Sequence, residues 1–162
     1  MIHEISDMVA ADIMVKRLVT LRPEANVFQA IETLLKNKIS GAPVVDEQGQ
    51  LLGMFSQKCC MQVLVDAAYE GFPANEVRAF MEKDPESIEE NTQLISIANF
   101  FLITPSRQLP VLRDGKLVGQ ISRRDVIQVA ARKQPKTSPY SKRLLYLSAL
   151  REMNDVPEGA SI

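Results

Sequence analysis

An internal repeat limits this chain more than any single motif does, because self-similar segments build the same unit twice and stack it. An offset of 67 residues places Met14 on Met81, Lys16 on Lys83, Pro43 on Pro110 and Val44 on Val111. One residue fewer in a turn brings the offset to 66, and Gly49 then falls on Gly115, Leu51 on Leu117, Gly53 on Gly119 and Ser56 on Ser122. The patterns between these identities match as well. Val27, Ala30, Ile31, Leu34 and Leu35 form the apolar stripe of an amphipathic helix, and Leu94, Ile97, Ala98, Phe101 and Leu102 repeat it. APVVDEQGQLLGMF in one half and LPVLRDGKLVGQI in the other each read as a β-hairpin with a glycine turn. Closing helices follow over 57–69 and 123–132.

The spacing further predicts first strands near 19–21 and 87–88, and lead-in helices over 5–14 and 74–81. A unit of this size buries too little apolar surface alone. The expected fold class is therefore α/β: two pseudo-symmetric β-α-β-β-α repeats packed face to face, plus a C-terminal helix. Residues 1–72 hold the lead-in helix and first repeat, 73–134 the second repeat, and 135–162 a linker and amphipathic helix. Gly71, Phe72 and Pro73 mark the boundary. In the last segment KQPKTSPYSK reads as the linker, and Tyr140, Leu144 and Leu147 make a stripe that needs a surface, on its own domain or on a second subunit. The basic residues Lys142, Arg143 and Arg151 raise nucleic acid as a remote alternative.

A formal net charge of −1 gives no basic field to draw nucleic acid or an anionic membrane. No run approaches the roughly 20 apolar residues of a membrane span, and the N-terminus MIHEISDMV is acidic where a signal peptide is basic. Cys59 and Cys60 are adjacent, a poor arrangement for a disulfide, so a reducing cytoplasm is expected. His3 is the one histidine, which leaves no pair for a histidine metal site, and no metal is expected. Nor does the sequence hold a nucleophile with its base or a pair of carboxylates with a plausible pocket, so an enzyme is not expected.

The Pro-Val strands, the hairpin glycines and the closing G-x-x-S/T-x-x-D resemble a tandem pair of CBS domains, a Bateman module, over about residues 8–132. The second copy carries the closing motif as Gly119, Ser122 and Asp125; the first carries Gly53 and Ser56 with Cys59 in the acid's place. The resemblance implies a regulatory module with a cleft for each copy, binding an adenosine compound such as AMP, ADP, ATP or S-adenosylmethionine as a regulatory ligand, with no other cofactor. It implies that Asp125 accepts the ribose hydroxyls and that Ser122 lies near the sugar or phosphate. It further places Gln108 and Leu109 at the base, with the stretch from Met81 to Ser87 as the opposite wall.

Ser122 and Asp125 also have the spacing of a capping box, and the two roles are compatible. Arg107 and Arg123, ahead of Arg124, suit a phosphate group, with a solvated helix face as the plainer reading. The weaker first cleft would comprise Ser56, Cys59, Ala42 and Gly41. There a thiol replaces the carboxylate, and Cys59 either packs or serves as a redox thiol. The reading is a sensor of an adenosine nucleotide that forms a homodimer and acts on an effector protein the sequence does not name. The alternative is a ligand-free dimeric scaffold for protein interaction.

Overall fold

The computed structural model describes residues 5, 7–71 and 75–132. His3 and the helix expected within 135–162 lie outside them. In chain order the elements are α1 (Ala10–Ile13), α2 (Val27–Asn37), β1 (Gly41–Val45), β2 (Leu51–Ser56), α3 (Gln57–Glu70), a 3-10 turn (Val77–Ala79), β3 (Glu82–Lys83), β4 (Ile88–Glu89), α4 (Leu94–Ile103), β5 (Gln108–Arg113), β6 (Lys116–Ser122) and α5 (Arg123–Arg132).

Local chemistry sets most of these bounds. The Asn26 side chain accepts from the N–H groups of Phe28 and Gln29 and so opens α2, while Lys38 ends it in the left-handed region at φ 53°. Between β1 and β2, Asp46 Oδ1 accepts from the N–H groups of Gln48 and Gln50, at 2.9 and 2.8 Å, and Gly49 takes φ 82°. Between β5 and β6 the turn is tighter. Asp114 and Gly115 take φ 53° and 77° in succession, the signature of the hairpin turn that matches strand twist.

The two repeats exchange segments. One sheet has the order β1-β2-β3 and the other β4-β5-β6. Strand β3 belongs by sequence to the entry of the second repeat, yet it pairs Glu82 with Met54 and Lys83 with Gly53 of the first. Reciprocally, Val15 at the entry of the first repeat bridges Gln120 of the second. The hairpin turns meet between the repeats: Gln50 bridges Lys116, and the Leu117 N–H donates to Gly49 O at 3.0 Å. Gln50 and Lys116 are counterparts in the repeat, so the pseudo-two-fold axis passes there.

The exchange accounts for two glycines of the repeat. A Cβ on Gly53 would stand 2.6 Å from Glu82 O and 2.8 Å from Met81 Sδ; one on Gly119 would stand 2.5 Å from Met14 Sδ. Each glycine lets the other repeat's entry segment, methionine included, lie flat across its strand. The cores are exchanged too. Val77 is buried with Leu21, Val27, Phe55 and Val63, whereas Ala10 is buried with Ile97, Phe101, Leu109 and Ile121.

Crossing to the other sheet also explains where the expectations miss. Among the described residues the lead-in helix over 5–14 is broken, helical at Ile5 and again over α1, and the one over 74–81 reduces to a single 3-10 turn. Both must straighten by Val15 and Glu82 to lie along a foreign strand. The first strand near 19–21 is a single parallel bridge, Leu21 to Val44, while its counterpart is β4, paired at Ile88 with Val111.

Candidate functional site

Two clefts flank the pseudo-axis, and each closes with the start of a helix. The first N–H of α5, on Arg123, donates to Arg107 O at 3.2 Å; the first N–H of α3, on Gln57, donates to Ser40 O at 2.9 Å. Each bond holds a closing helix against the strand entrance of its own repeat. The clefts themselves are lined from both repeats.

One cleft is a cavity of about 280 Å³ lined by Val15, Arg17, Leu18, Val19, Ile39, Gly41, Gln108, Gln120, Ser122 and Asp125. Its apolar lining is Val15, Leu18, Val19 and Ile39, side chains of the sort that pack against a planar ring. Its polar end is the start of α5. There Asp125 Oδ2 accepts from the Ser122 N–H and from Ser122 Oγ–H, both at 2.7 Å, and the Asp125 N–H donates to Ser122 Oγ at 3.2 Å. This is a reciprocal cap. It engages one carboxylate oxygen and leaves Oδ1 without a hydrogen bond among the described residues. Asp125 is half-buried and also borders a cavity of about 290 Å³ on the side of α1, with Asp12 and Arg132.

The other cleft is larger, about 610 Å³, and its lining includes Ser40, Gly41, Ser56, Lys58, Arg107, Gln108 and the segment 82–86. Here no carboxylate stands where Asp125 stands. Cys59 is 5% exposed and packs in the first core, its Sγ 3.5 Å from Ser56 Oγ. Ser56 caps no N–H of α3. Burial pushes the adjacent Cys60 thiol up, and Cys59 beside it adds to the rise.

The structure thus redistributes the residues singled out in the sequence. Asp125, Ser122 and Gln108 meet in one cleft. The stretch 81–87 does not oppose them: its residues 82–86 line the other cleft with Ser56, because β3 joins the first repeat's sheet. Met81 lies over Gly53, and Ser87 is exposed and lines neither cleft. Arg107 faces the first cleft. Arg123 donates from its guanidinium to Ser106 O and Thr104 O, at 3.0 and 2.8 Å, and so fastens the chain after α4. Leu109 and Ala42 are fully buried in the two cores, behind the clefts; Gly41 borders both clefts.

Val15, Arg17, Leu18, Val19 and Ile39 go unnamed in the sequence reading, though the repeat carried a signal for them. If 81–87 walls one cleft, its counterparts at 14–20 wall the other. Away from the clefts, Arg113 holds Glu90 through a two-bond ion pair, which keeps the Glu90 carboxyl below its ordinary range and raises the Arg113 guanidinium.

Two exchanged α/β repeats with a cleft on each side of their pseudo-axis define a paired-repeat module. A family model described as the CBS domain matches residues 9–66 and again 77–132, and the chain belongs to the CBS-domain family, as a tandem pair. It is 32% identical over 136 residues to the chloroplastic CBS domain-containing protein CBSX1 of Arabidopsis thaliana, covering 68% of this chain and 58% of that one. Over 119 residues it is 30% identical to an uncharacterized protein of Methanocaldococcus jannaschii, covering 73% of this chain and 41% of that one. The chain thus spans about half the length of these relatives. The crystal structure of Arabidopsis thaliana CBSX2 in complex with AMP matches with a TM-score of 0.68 at 28% identity, over 76% of this chain and 96% of that chain. No described helix is long and apolar enough to cross a membrane.

Proposed function

We propose that the chain is a non-catalytic sensor that binds an adenosine nucleotide between Asp125 and the apolar wall of Val15, Leu18, Val19 and Ile39. One observation carries the reading: a half-buried carboxylate, with one oxygen held by Ser122, borders a partly open gap that Val15, Leu18, Val19 and Ile39 also line. A ribose needs an acceptor for two hydroxyls and an adenine needs a flat apolar face, and charge-assisted acceptance is the stronger kind of hydrogen bond. The AMP in the CBSX2 structure supports the same class of ligand. Isothermal titration of the protein with AMP tests it. Saturable binding of one AMP per chain is the expected result; no heat with AMP, ATP or S-adenosylmethionine would leave the scaffold reading in its place.

The sensor is proposed to work as a homodimer and to signal to an effector protein by the shape of that dimer. Counterpart positions expose the same apolar character: Leu35 and Leu102 are 69% and 80% exposed, and Met61 and Ile127 are 58% and 65% exposed. Apolar stripes repeated about a pseudo-axis suit a partner of the same symmetry, which a second copy supplies. Light scattering is expected to give twice the chain mass, and the Leu35→Asp/Leu102→Asp variant the mass of one chain. A wild-type monomer would defeat this part of the proposal.

A further inference from the structure

The closing helices α3 and α5 do not expose the same face. On α3, Cys59, Cys60 and Val63 turn into the first core, while Met61, Leu64, Val65 and Tyr69 make a second stripe in which each residue is at least half exposed. Their spacing of i, i+3, i+4 and i+8 puts them on one side of the helix. Ile127 of α5 answers Met61, but the counterparts of Leu64 and Val65 are Ala130 and Ala131, and that of Tyr69 is Pro135. The proposed dimer, built on matched positions, therefore leaves Leu64, Val65 and Tyr69 over.

Apolar surface present on one repeat alone asks for an occupant that also occurs once. The chain holds such a segment. Residues 133–162 have no counterpart in the repeat, and within them Tyr140, Leu144 and Leu147 recur at i, i+4 and i+7. We propose that residues 140–147 fold back as a helix onto α3 of the same chain and cover Leu64, Val65 and Tyr69. Docking there joins the end of α5, whose first turn holds Asp125, to the helix that closes the other cleft.

Charge favours this occupant. Residues 133–162 carry five Lys or Arg against three Asp or Glu, so with a total of −1 the remainder of the chain stands at −3. Lys142 and Arg143 directly precede Leu144, and on α3 Asp66, bonded to Gln62 Nε2 at 2.6 Å, edges the stripe beside Val65. Burial of Leu and Tyr side chains holds the contact, and opposite charge draws the segment to this unit. Reach does not limit it. The seven residues 133–139 span up to about 25 Å, against a radius of gyration of about 14 Å for a compact unit of this length.

Val65 and Leu144 are the middle members of the two stripes, so they meet in either direction of packing. Oxidation of Val65→Cys/Leu144→Cys with copper phenanthroline, followed by non-reducing electrophoresis, tests the inference. The expected product is a disulfide within one chain, absent from both single variants, in which Cys59 and Cys60 stay buried. A disulfide between two chains overturns the inference, for the segment then covers a second copy. Where no disulfide forms, labelling decides: a maleimide on Tyr69→Cys is expected to react at least about tenfold faster once Leu144→Asp/Leu147→Asp frees the face. An unchanged rate overturns the inference and leaves α3 to another partner. Neither measurement involves a nucleotide, so both are independent of the adenosine reading.

Discussion

Replacing Asp125 with alanine is expected to remove all stabilisation of the protein by AMP. A ligand at a hundred times its dissociation constant adds about 2.7 kcal/mol to a protein that binds it only when folded. For a chain of this length that corresponds to roughly 5–10 °C in Tm. The wild-type rise and its disappearance in Asp125→Ala are the two halves of the result. The variant without ligand should also melt earlier, because the Asp125 carboxylate accepts from Ser122 and completes the start of α5; a lost cap costs about 1 kcal/mol. Ser122→Ala separates the two roles. It removes the hydroxyl that donates to Oδ2 and accepts the Asp125 N–H, so the unliganded protein should weaken by a similar amount. The carboxylate remains at the cleft, however, and most of the AMP-induced shift should survive. A shift that persists in Asp125→Ala shows that the ribose is held elsewhere; a shift lost equally in both variants reduces Asp125 to a helix cap.

What could be read in advance follows from how local each feature is. The hairpins were legible because their information is contained in a few neighbouring residues: a glycine at a positive φ and alternating apolar positions on each side. The starts of α3 and α5 were legible for the same reason. The cleft walls were not, because which entry segment lies against which sheet is a choice between two packings with the same local pattern. Residues 14–20 and 81–87 share the repeat's Met and Lys, and nothing in either says that it crosses over. The same blindness lengthened the lead-in helices, whose apolar residues Ala10 and Val77 serve the opposite core. Leu109 and Ala42 show a further limit. An apolar residue beside a strand's proline is equally consistent with a cleft wall and with the core behind it, and alternation along the strand decides only once the sheet's faces are known.

The exchange leads to a second large effect. Phe55 is fully buried in the first core, against residues that include Val77 from the second repeat's entry. Phe55→Ala is expected to cost about 3–5 kcal/mol, a large part of the stability of an ordinary domain. The more telling measurement is where the loss is felt. If the repeats were independent, amides around Val111 and Ile121 in the second sheet would keep their wild-type protection against hydrogen exchange. They are not joined only by a linker: β3 is a strand of the first sheet, Val15 bridges the second, and the hairpin turns bond across the pseudo-axis at Gln50 and Lys116. Releasing the first core frees β3, and with it the chain that leads directly into β4. The expected result is a single, earlier denaturant transition by far-UV circular dichroism, with protection falling together in both sheets. Undiminished protection at Val111 and Ile121 would mean that the crossing segments do not couple the repeats. A shared cleft would then lack the rigid frame on which the proposed signal from ligand to effector depends.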